Sequence, residues 1–173
     1  VYDNSTHGMI VNYAGSGSRF ANNTIYQIAG DTLRIQGNSQ FPTIRDNILW
    51  ADAGRAIYVA NDSQTGFNSD YNMLYLTNSA AAGSWQETDR DSLTDWQSAA
   101  FQDIHSLASN PLFVDIDGSD NVLGGVNGVD DDFHLQSTSL AVDRGDVQSY
   151  YLEEPWFNGG RVNLGAFGNT LEA

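Results

Sequence analysis

The feature that most constrains this chain is an internal repeat, in which three similar segments each begin with an asparagine. These asparagines are Asn23, Asn47 and Asn72, and the intervals between them are 24 and 25 residues (47 − 23 and 72 − 47). A short run of alternating residues begins 14 or 15 positions before each one, at residues 9, 33 and 57. A period of this length is typical of a solenoid, in which each repeat is one coil.

The composition of the repeats indicates strands rather than helices. Residues 1–78 carry Tyr, Ile, Val, Thr and Trp at the apolar positions, and no apolar series at helical spacing persists. A leucine-rich repeat needs a leucine scaffold around its asparagine, and that scaffold is missing. The sequence therefore predicts an all-β fold in which each repeat is one coil of a parallel β-helix.

Stacked coils place equivalent residues above one another at the strand spacing of about 4.8 Å. Asn23, Asn47 and Asn72 are then expected to form a structural amide ladder at a turn, because each side chain both donates and accepts. Asparagine also tolerates the left-handed backbone that such a turn needs. The residues expected to line the interior are Met9, Leu33, Ile57, Val11, Ile35, Val59, Ile25, Leu49 and Leu74.

Composition narrows the class of partner. The 173 residues suggest one domain, and the net charge is −15, with seven arginines and no lysine. A surface this acidic repels nucleic acid and anionic lipid. The sequence contains no apolar run of membrane-spanning length, so membrane insertion is not expected. It also contains no cysteine, which leaves the redox compartment undecided.

The repeat ends after residue 76 and a different pattern follows. Residues 77–84 read as a loop, and residues 92–102 as a helix that is capped by Asp91 or Ser92, with Trp96 expected to pack on the solenoid wall. Strands are predicted again at residues 103–107, 111–115, 132–136 and 161–168.

An ordered set of motifs runs through residues 85–170. It comprises Trp-Gln at 96–97, Gln-Asp-Ile-His-Ser at 102–106, Asn-Pro-Leu-Phe-Val-Asp at 110–115, Asp-Phe-His-Leu at 132–135, Ser-Leu-Ala-Val-Asp-Arg-Gly at 139–145, and the Gly-rich stretch 158–170. This set resembles the C-terminal coils of secreted bacterial right-handed parallel β-helix repeat proteins, which are related to the pectate-lyase-like solenoids. Leu140 departs from the pattern, since the family usually has proline there.

The resemblance implies a right-handed parallel β-helix with one short helix in an insertion and a C-terminal cap, in an extracellular or cell-surface setting. We expect a single domain, with coils over about 8–78, the insertion over about 79–102, and further coils and the cap over about 103–173. Because nothing before the first repeat resembles a cap, we expect the chain to be the C-terminal part of a longer protein. An open N-terminal coil would also allow self-association through unpaired strand edges.

An Asp-rich segment is the candidate metal site. Carboxylates crowded into one loop repel one another unless a cation or open water lies among them, and Ca²⁺ prefers such oxygen ligands. The segment lacks the closing glutamate of an EF-hand, so a structural calcium site and a solvated acidic loop both remain open. No organic cofactor is expected. The candidate ligands are Asp115, Asp117, Asp120, Asp130, Asp131 and Asp132.

A second candidate site is an aromatic column. If Ile25 and its equivalents point inward, then Tyr26, Trp50 and Tyr75 point outward, one from each coil. With Tyr58 on the first strand, they form a candidate carbohydrate-binding set, because flat apolar rings stack on sugars. The alternatives are that the rings stack on one another or lie under the loop of residues 77–90.

The catalytic candidate is Arg34, in an outward column with Ile10 and Tyr58. The resemblance implies this role, because pectate-lyase-like enzymes use an Arg or Lys base together with calcium-bound Asp residues. With Asp31 nearby, a surface ion pair is the alternative. The three histidines form no metal or triad pattern, and His105 and His134 are expected to be structural.

The leading functional hypothesis is an extracellular β-helix module of a larger secreted or surface protein, which acts as a scaffold or contacts polysaccharide and is not independently catalytic. One alternative is the C-terminal part of a calcium-dependent polysaccharide lyase or uronate C5-epimerase. Another is a structural adhesion or surface stalk. Fold resemblance alone does not choose among these functions.

Overall fold

The three repeats stack as coils of a parallel β-solenoid, which confirms the fold class predicted from the asparagine period. The structure is a computed structural model and describes residues 1–156 and 158–173. In chain order the strands are β1 (Met9–Asn12), β2 (Arg19–Ala21), β3 (Thr24–Gln27), β4 (Leu33–Gln36), β5 (Thr43–Arg45), β6 (Ile48–Ala51), β7 (Arg55–Val59), β8 (Asn68–Asp70), β9 (Met73–Leu76), β10 (Ala81–Trp85), β11 (Thr88–Arg90), β12 (Leu107–Ala108), β13 (Phe113–Asp115) and β14 (Asp132–Leu135). The helix α1 (Leu93–Ala100) lies between β11 and β12, and 3-10 turns occupy Asn61–Ser63 and Gly125–Asn127.

Each coil contributes one strand to each of three stacked sheets. The first has the order β1-β4-β7-β10-β11, the second β2-β5-β8, and the third β12-β9-β6-β3. Pairing is parallel except in the β10–β11 hairpin. The sequence predicted the first and third strands of each coil but missed the second. That strand has three residues and no apolar pattern shared by its copies, which read Arg-Phe-Ala, Thr-Ile-Arg and Asn-Ser-Asp.

The interior is lined by the residues that were predicted to point inward. Met9 lies opposite Leu33 and Leu33 opposite Ile57, while Ile25 is paired through Leu49 with Leu74. All of these side chains except Met9 are at most 1% exposed. Burial of this apolar area, at roughly 25 cal/mol per Å², is the main force that holds the coils together.

The helix closes one end of this interior. It is capped by Ser92, whose hydroxyl accepts a hydrogen bond from the backbone N–H of Asp95. Trp96 is fully buried and packs edge-on against Phe67 and Trp85. Trp96 therefore packs on the strands of the solenoid wall, as expected, and there it belongs to the hydrophobic core. Within the described residues, no helix has the length and hydrophobicity needed to cross a bilayer.

The C-terminal third lies outside the three sheets. Strands β13 and β14 pair only with each other, antiparallel. The prediction of a strand at residues 161–168 is wrong. The backbone N–H groups of this stretch bond to three separate segments and form no ladder with one neighbouring strand. Leu164 donates to the carbonyl of Ala141, Gly165 to that of Asp46, and Ala166 to the hydroxyl of Thr24.

This C-terminal segment covers the outer face of the third sheet. A second hydrophobic cluster forms there, in which Ile48 and Met73 of the sheet pack against Phe113, Ala141 and Leu164. Both sheet residues are at most 1% exposed although they point away from the solenoid interior. The outer wall that carries the aromatic column is therefore partly buried.

The opposite end of the stack is the first coil, whose strands are the outermost ones of their sheets. β1 and β2 are terminal in their sheets, whereas the edge of β3 meets the start of the chain. There the backbone N–H of Tyr26 donates to the carbonyl of Val1, at 2.9 Å. Self-association through the edges of β1 and β2 stays a prediction, which sedimentation analysis would test.

Candidate functional site

The asparagine column is a continuous chain of amide hydrogen bonds. The Nδ2 of Asn23 donates to the Oδ1 of Asn47, and that of Asn47 donates to the Oδ1 of Asn72, each at 2.9 Å. The chain continues to Asp103, which accepts from the Nδ2 of Asn72 at 2.9 Å. Because Asn47, Asn72 and Asp103 are at most 2% exposed, this column holds the coils in register and offers no surface to a ligand.

The left-handed residues of these turns are not the column asparagines. Positive φ angles occur one position earlier, at Asn22 (54°), Asp46 (60°) and Tyr71 (55°). The expectation that the repeated asparagine itself takes the left-handed conformation is wrong. Its side chain is used for bonds between layers, and the residue before it turns the chain.

The aromatic column consists of rings that stack on one another. The centroids of Tyr26 and Trp50 are 4.1 Å apart and those of Trp50 and Tyr75 5.1 Å, with tilts of 34° and 46°. All three side chains are half-buried. The indole N–H of Trp50 donates to the hydroxyl of Thr77, which in turn donates to the carboxylate of Asp52. Each ring of the column thus contacts the next one.

An open groove of about 340 Å³ runs beside this column, between Trp50 and Tyr75 and the segment around β13. Trp50 forms one wall and Phe113 another, with their ring centroids 6.4 Å apart. Sequence reasoning placed the column but missed the opposite wall, because a strand that folds back outside the stack follows no repeat. The groove is lined by Trp50, Tyr75, Asn110, Leu112, Phe113, Val114, Asp115, Ile116, Asp117 and Gln136.

Polar groups of the groove are amides and carboxylates. The amide of Asn110 donates to the hydroxyl of Tyr75 at 3.3 Å, and that of Gln136 donates to the carbonyl of Phe113 at 2.8 Å. Local desolvation, followed by a hydrogen bond with Asp117 and the charges of nearby carboxylates, raises the pKa of Asp115 above its ordinary value. The groove is therefore a region of concentrated negative charge beside apolar rings.

Arg34 has three polar or aromatic partners, which are Asp31, Gln36 and Tyr58. Its Nη1 lies 2.5 Å from the buried carboxylate of Asp31, and its Nε donates to Gln36 at 2.7 Å. The guanidinium also lies 3.8 Å above the ring centroid of Tyr58. These contacts hold the side chain as a fixed cation, which is the ion-pair alternative rather than the arrangement of a free catalytic base. They also cover the face of Tyr58.

Asp31 links Arg34 to the next coil. Arg55 donates to its other carboxylate oxygen at 3.2 Å and also forms a two-fold contact with Asp89. The hydrogen bond with Asp89 raises the pKa of Arg55 above its ordinary value, although desolvation opposes this. Asp52 does not belong to this group of ion pairs, since its carboxylate accepts hydrogen bonds from Thr77 and Asn78.

The Asp-rich loop is organised by hydrogen bonds to its own backbone. Asp120 accepts from the N–H of Val122, Asp131 from that of Gly124, and Asp130 from both the N–H and the hydroxyl of Ser119. Among the described residues no three acidic or histidine side chains converge closely enough to hold a metal ion. Two oxygens, Oδ1 of Asp130 and Oδ1 of Asp131, are buried with no hydrogen-bond partner.

A second cavity, of about 330 Å³, lies under the C-terminal segment. Its walls include Ile48, Phe133 and Leu164, which also pack this segment onto the third sheet. His134 borders it, with its Nδ1 2.6 Å from Asp132 and its ring stacked on Phe167 at 3.7 Å. We assign this cavity to packing, because its apolar walls belong to the second hydrophobic cluster.

Comparison with protein-family models, curated proteins and solved structures gives no match for this chain. The class of protein that its own topology defines is a parallel β-solenoid of about three coils.

Proposed function

We propose that this chain is a module that contacts polysaccharide through the groove beside Trp50 and Tyr75, and that it is not independently catalytic. The observation that carries the proposal is the combination of aromatic side chains with amide and carboxylate groups along one open groove. Sugars present apolar C–H patches and pairs of hydroxyls, and these surfaces match aromatic edges and bidentate polar groups. A rigid solenoid wall keeps such groups in place without a cost in ordering on binding.

The setting that we propose is extracellular or on a bacterial surface, within a pectate-lyase-like secreted protein. The acidic composition and the resemblance of residues 85–170 support it. Polysaccharide lyase or epimerase activity is the runner-up, and a passive stalk is the third candidate. The paired state of Arg34 counts against catalysis at that residue, since a base must be free to accept a proton.

The experiment is a binding assay against neutral, cationic and anionic polysaccharides by affinity electrophoresis. Val114 lines the groove and is 50% exposed, so Val114→Arg blocks the groove without disturbing the core. Val126→Arg is the matched control, because Val126 is fully exposed and lies outside the groove. We expect Val114→Arg to abolish binding and Val126→Arg to leave it intact. Binding unaffected by Val114→Arg would refute the groove as the site.

The competing functions have separate readouts. A lyase forms an unsaturated product from polygalacturonate or alginate with calcium, and its ultraviolet absorbance would reveal turnover. We expect none, and turnover that Arg34→Ala abolishes would replace our proposal with the enzyme. Failure of the native chain to bind any polysaccharide would favour the stalk.

A further inference from the structure

The structure assigns a second sugar site to this chain: we propose that the cavity beside Trp156 binds the end of a neutral sugar chain, whose terminal ring stacks on the indole while its hydroxyls donate to Glu154. This site goes beyond the groove of the proposed function and does not depend on it. The described residues that line the two are different, so each can be blocked while the other is tested.

Trp156 presents the most exposed indole of the chain. It is 88% exposed, whereas the other three tryptophans are buried or half-buried. The backbone beside it is held by a hydrogen bond from the N–H of Asn158 to the carbonyl of Pro155, at 3.2 Å. The ring borders an open cavity of about 400 Å³, which is the size of a small-ligand site. The described residues of its wall are Tyr151, Leu152, Glu154, Trp156 and Asn158.

The polar group of this cavity is a buried carboxylate. Glu154 is only 6% exposed, yet it lines both this cavity and a smaller one, of about 190 Å³, that shares Trp156 and Asn158. Both hydrogen bonds described for its side chain end at Oε1, which accepts from the backbone N–H groups of Asn163 and Asn169 at 2.7 and 2.9 Å. The carboxylate is therefore fixed in the wall before a ligand arrives, and binding costs little ordering.

A buried carboxylate beside an exposed ring favours a sugar over an apolar partner. An apolar side chain in the cavity would separate Glu154 from water without offering it a donor, and such burial costs free energy. A sugar covers the indole with its C–H face and brings pairs of hydroxyls that donate to a carboxylate. A uronate is disfavoured, because its own carboxylate would meet that of Glu154. The occupant that fits is therefore a neutral sugar.

The short span of the site favours the end of a sugar chain over its middle. All described residues of the wall lie within residues 151–158, whereas the groove is bordered by separate segments of the solenoid and of the C-terminal region. A polymer offers few ends for its mass, so this site adds little to electrophoresis in a polymer gel. The loss of binding expected there for Val114→Arg is unchanged.

The test is made on Val114→Arg, in which the groove is blocked, with cellobiose, maltose and mannobiose as probes. Acrylamide quenching of fluorescence reports chiefly on Trp156, because the other tryptophans are shielded. We expect at least one disaccharide to protect Trp156 from acrylamide and to give a binding isotherm in calorimetry.

Two substitutions in the same background locate the site. Trp156→Ala should abolish the isotherm, with a melting midpoint within about 2 °C of the parent, since exposed substitutions change stability little. Glu154→Gln keeps an oxygen for the two backbone N–H groups, so it should fold and bind about tenfold more weakly. Phe101→Asn is the control, because Phe101 is 81% exposed outside the cavity and Asn tolerates its left-handed backbone. It should leave the affinity unchanged.

Three results would overturn the inference. The first is that none of the disaccharides protects Trp156. The second is an isotherm that survives Trp156→Ala. The third is tighter binding of an arginine-rich peptide at Trp156, which would make the cavity a site for a basic protein segment. If a disaccharide protects Trp156 but no polysaccharide retards the native chain, the groove is refuted and this site stands.

Discussion

Trp96 occupies the space that the missing side chain of Gly83 leaves inside the last coil. A Cβ at Gly83 would lie 2.4 Å from Cε3 of Trp96 and 2.8 Å from the carbonyl oxygen of Ile57. Gly83 pairs with Ile57 in the first sheet, so it continues an interior column of large apolar residues. The helix thus supplies from outside the coil the ring that closes the core.

Gly83→Ala is expected to destabilise the fold, because the new methyl group meets a fixed ring and a backbone oxygen. Overpacking of this kind costs about 1–3 kcal/mol. For a chain of this size, the thermal midpoint should fall by roughly 2–4 °C for each kcal/mol. Gly15→Ala is the control, since nothing lies within 4 Å of a Cβ built there. Equal midpoints for the two variants in a calorimetric scan would contradict this packing.

Asn47→Ala is expected to be more damaging than an ordinary surface substitution. It removes the acceptor of the Asn23 side chain and backbone N–H, and the donor to the carbonyl of Phe20. Each buried polar group left unpaired costs about 1–3 kcal/mol. We expect a loss of about 3 kcal/mol in urea unfolding. Asn61→Ala, at an exposed turn with one side-chain contact to Gln64, should change stability by less than about 0.5 kcal/mol.

The Asp-rich loop should lose stability in acid. The hydroxyl of Ser119 is the largest cause that lowers the pKa of Asp130, and the backbone N–H of His134 is the largest that lowers the pKa of Asp132. A carboxyl group whose folded pKa is lowered stabilises the fold above its unfolded value of about 3.9. That stability disappears as the pH falls through the lower, folded value.

The variant that tests this prediction is Asp130→Asn, whose thermal midpoint is measured across the acid range with chelator present. It should be less stable than the native chain at neutral pH, and the difference between the two midpoints should shrink as the pH falls below about 4 and through the lowered pKa of Asp130. Asp91→Asn, outside the loop, should melt in parallel with the native chain. A constant offset between Asp130→Asn and the native chain at every pH would contradict the stated role of the carboxylate.

Calcium should raise the melting midpoint relative to chelator only where backbone carbonyls and water complete a site, because no three acidic side chains of the described residues converge on one point. The oxygens Oδ1 of Asp130 and Oδ1 of Asp131 are buried without partners, and hard cations take such oxygens together with carbonyls and water. A ligand that binds only the folded state stabilises it by mass action. Asp131→Asn should reduce the shift and Asp91→Asn should not. Identical midpoints with calcium and with chelator would show that the loop does not bind calcium.

The stacked part of the fold could be predicted from the sequence because it is periodic. The interval between Asn23 and Asn47 fixes the length of a coil, and the alternation around Ile35 and Val59 fixes which side chains point inward. A slip by one residue would turn these apolar side chains outward, so register follows from the pattern. The outward direction of Trp50 follows from the same alternation.

The parts that depend on single contacts could not be predicted. Asp103 ends the asparagine column without repeating the asparagine, and the second strand of each coil has no shared pattern. Nothing periodic connects Phe113 to Trp50, although together they form the groove. Arg34 could be placed on a face from the sequence, with Asp31 beside it, but its contact with Tyr58 depends on two coils coming together.

The sequence by itself therefore determined the coil, its period and the faces of its strands, because local alternation and repetition specify them residue by residue. The tertiary structure decided which faces stay open. Residues far along the chain return over the third sheet, bury Ile48 and Met73, and leave Trp50 and Tyr75 beside Asp115. Long-range burial of this kind depends on shape complementarity between separate segments, and no single segment encodes it.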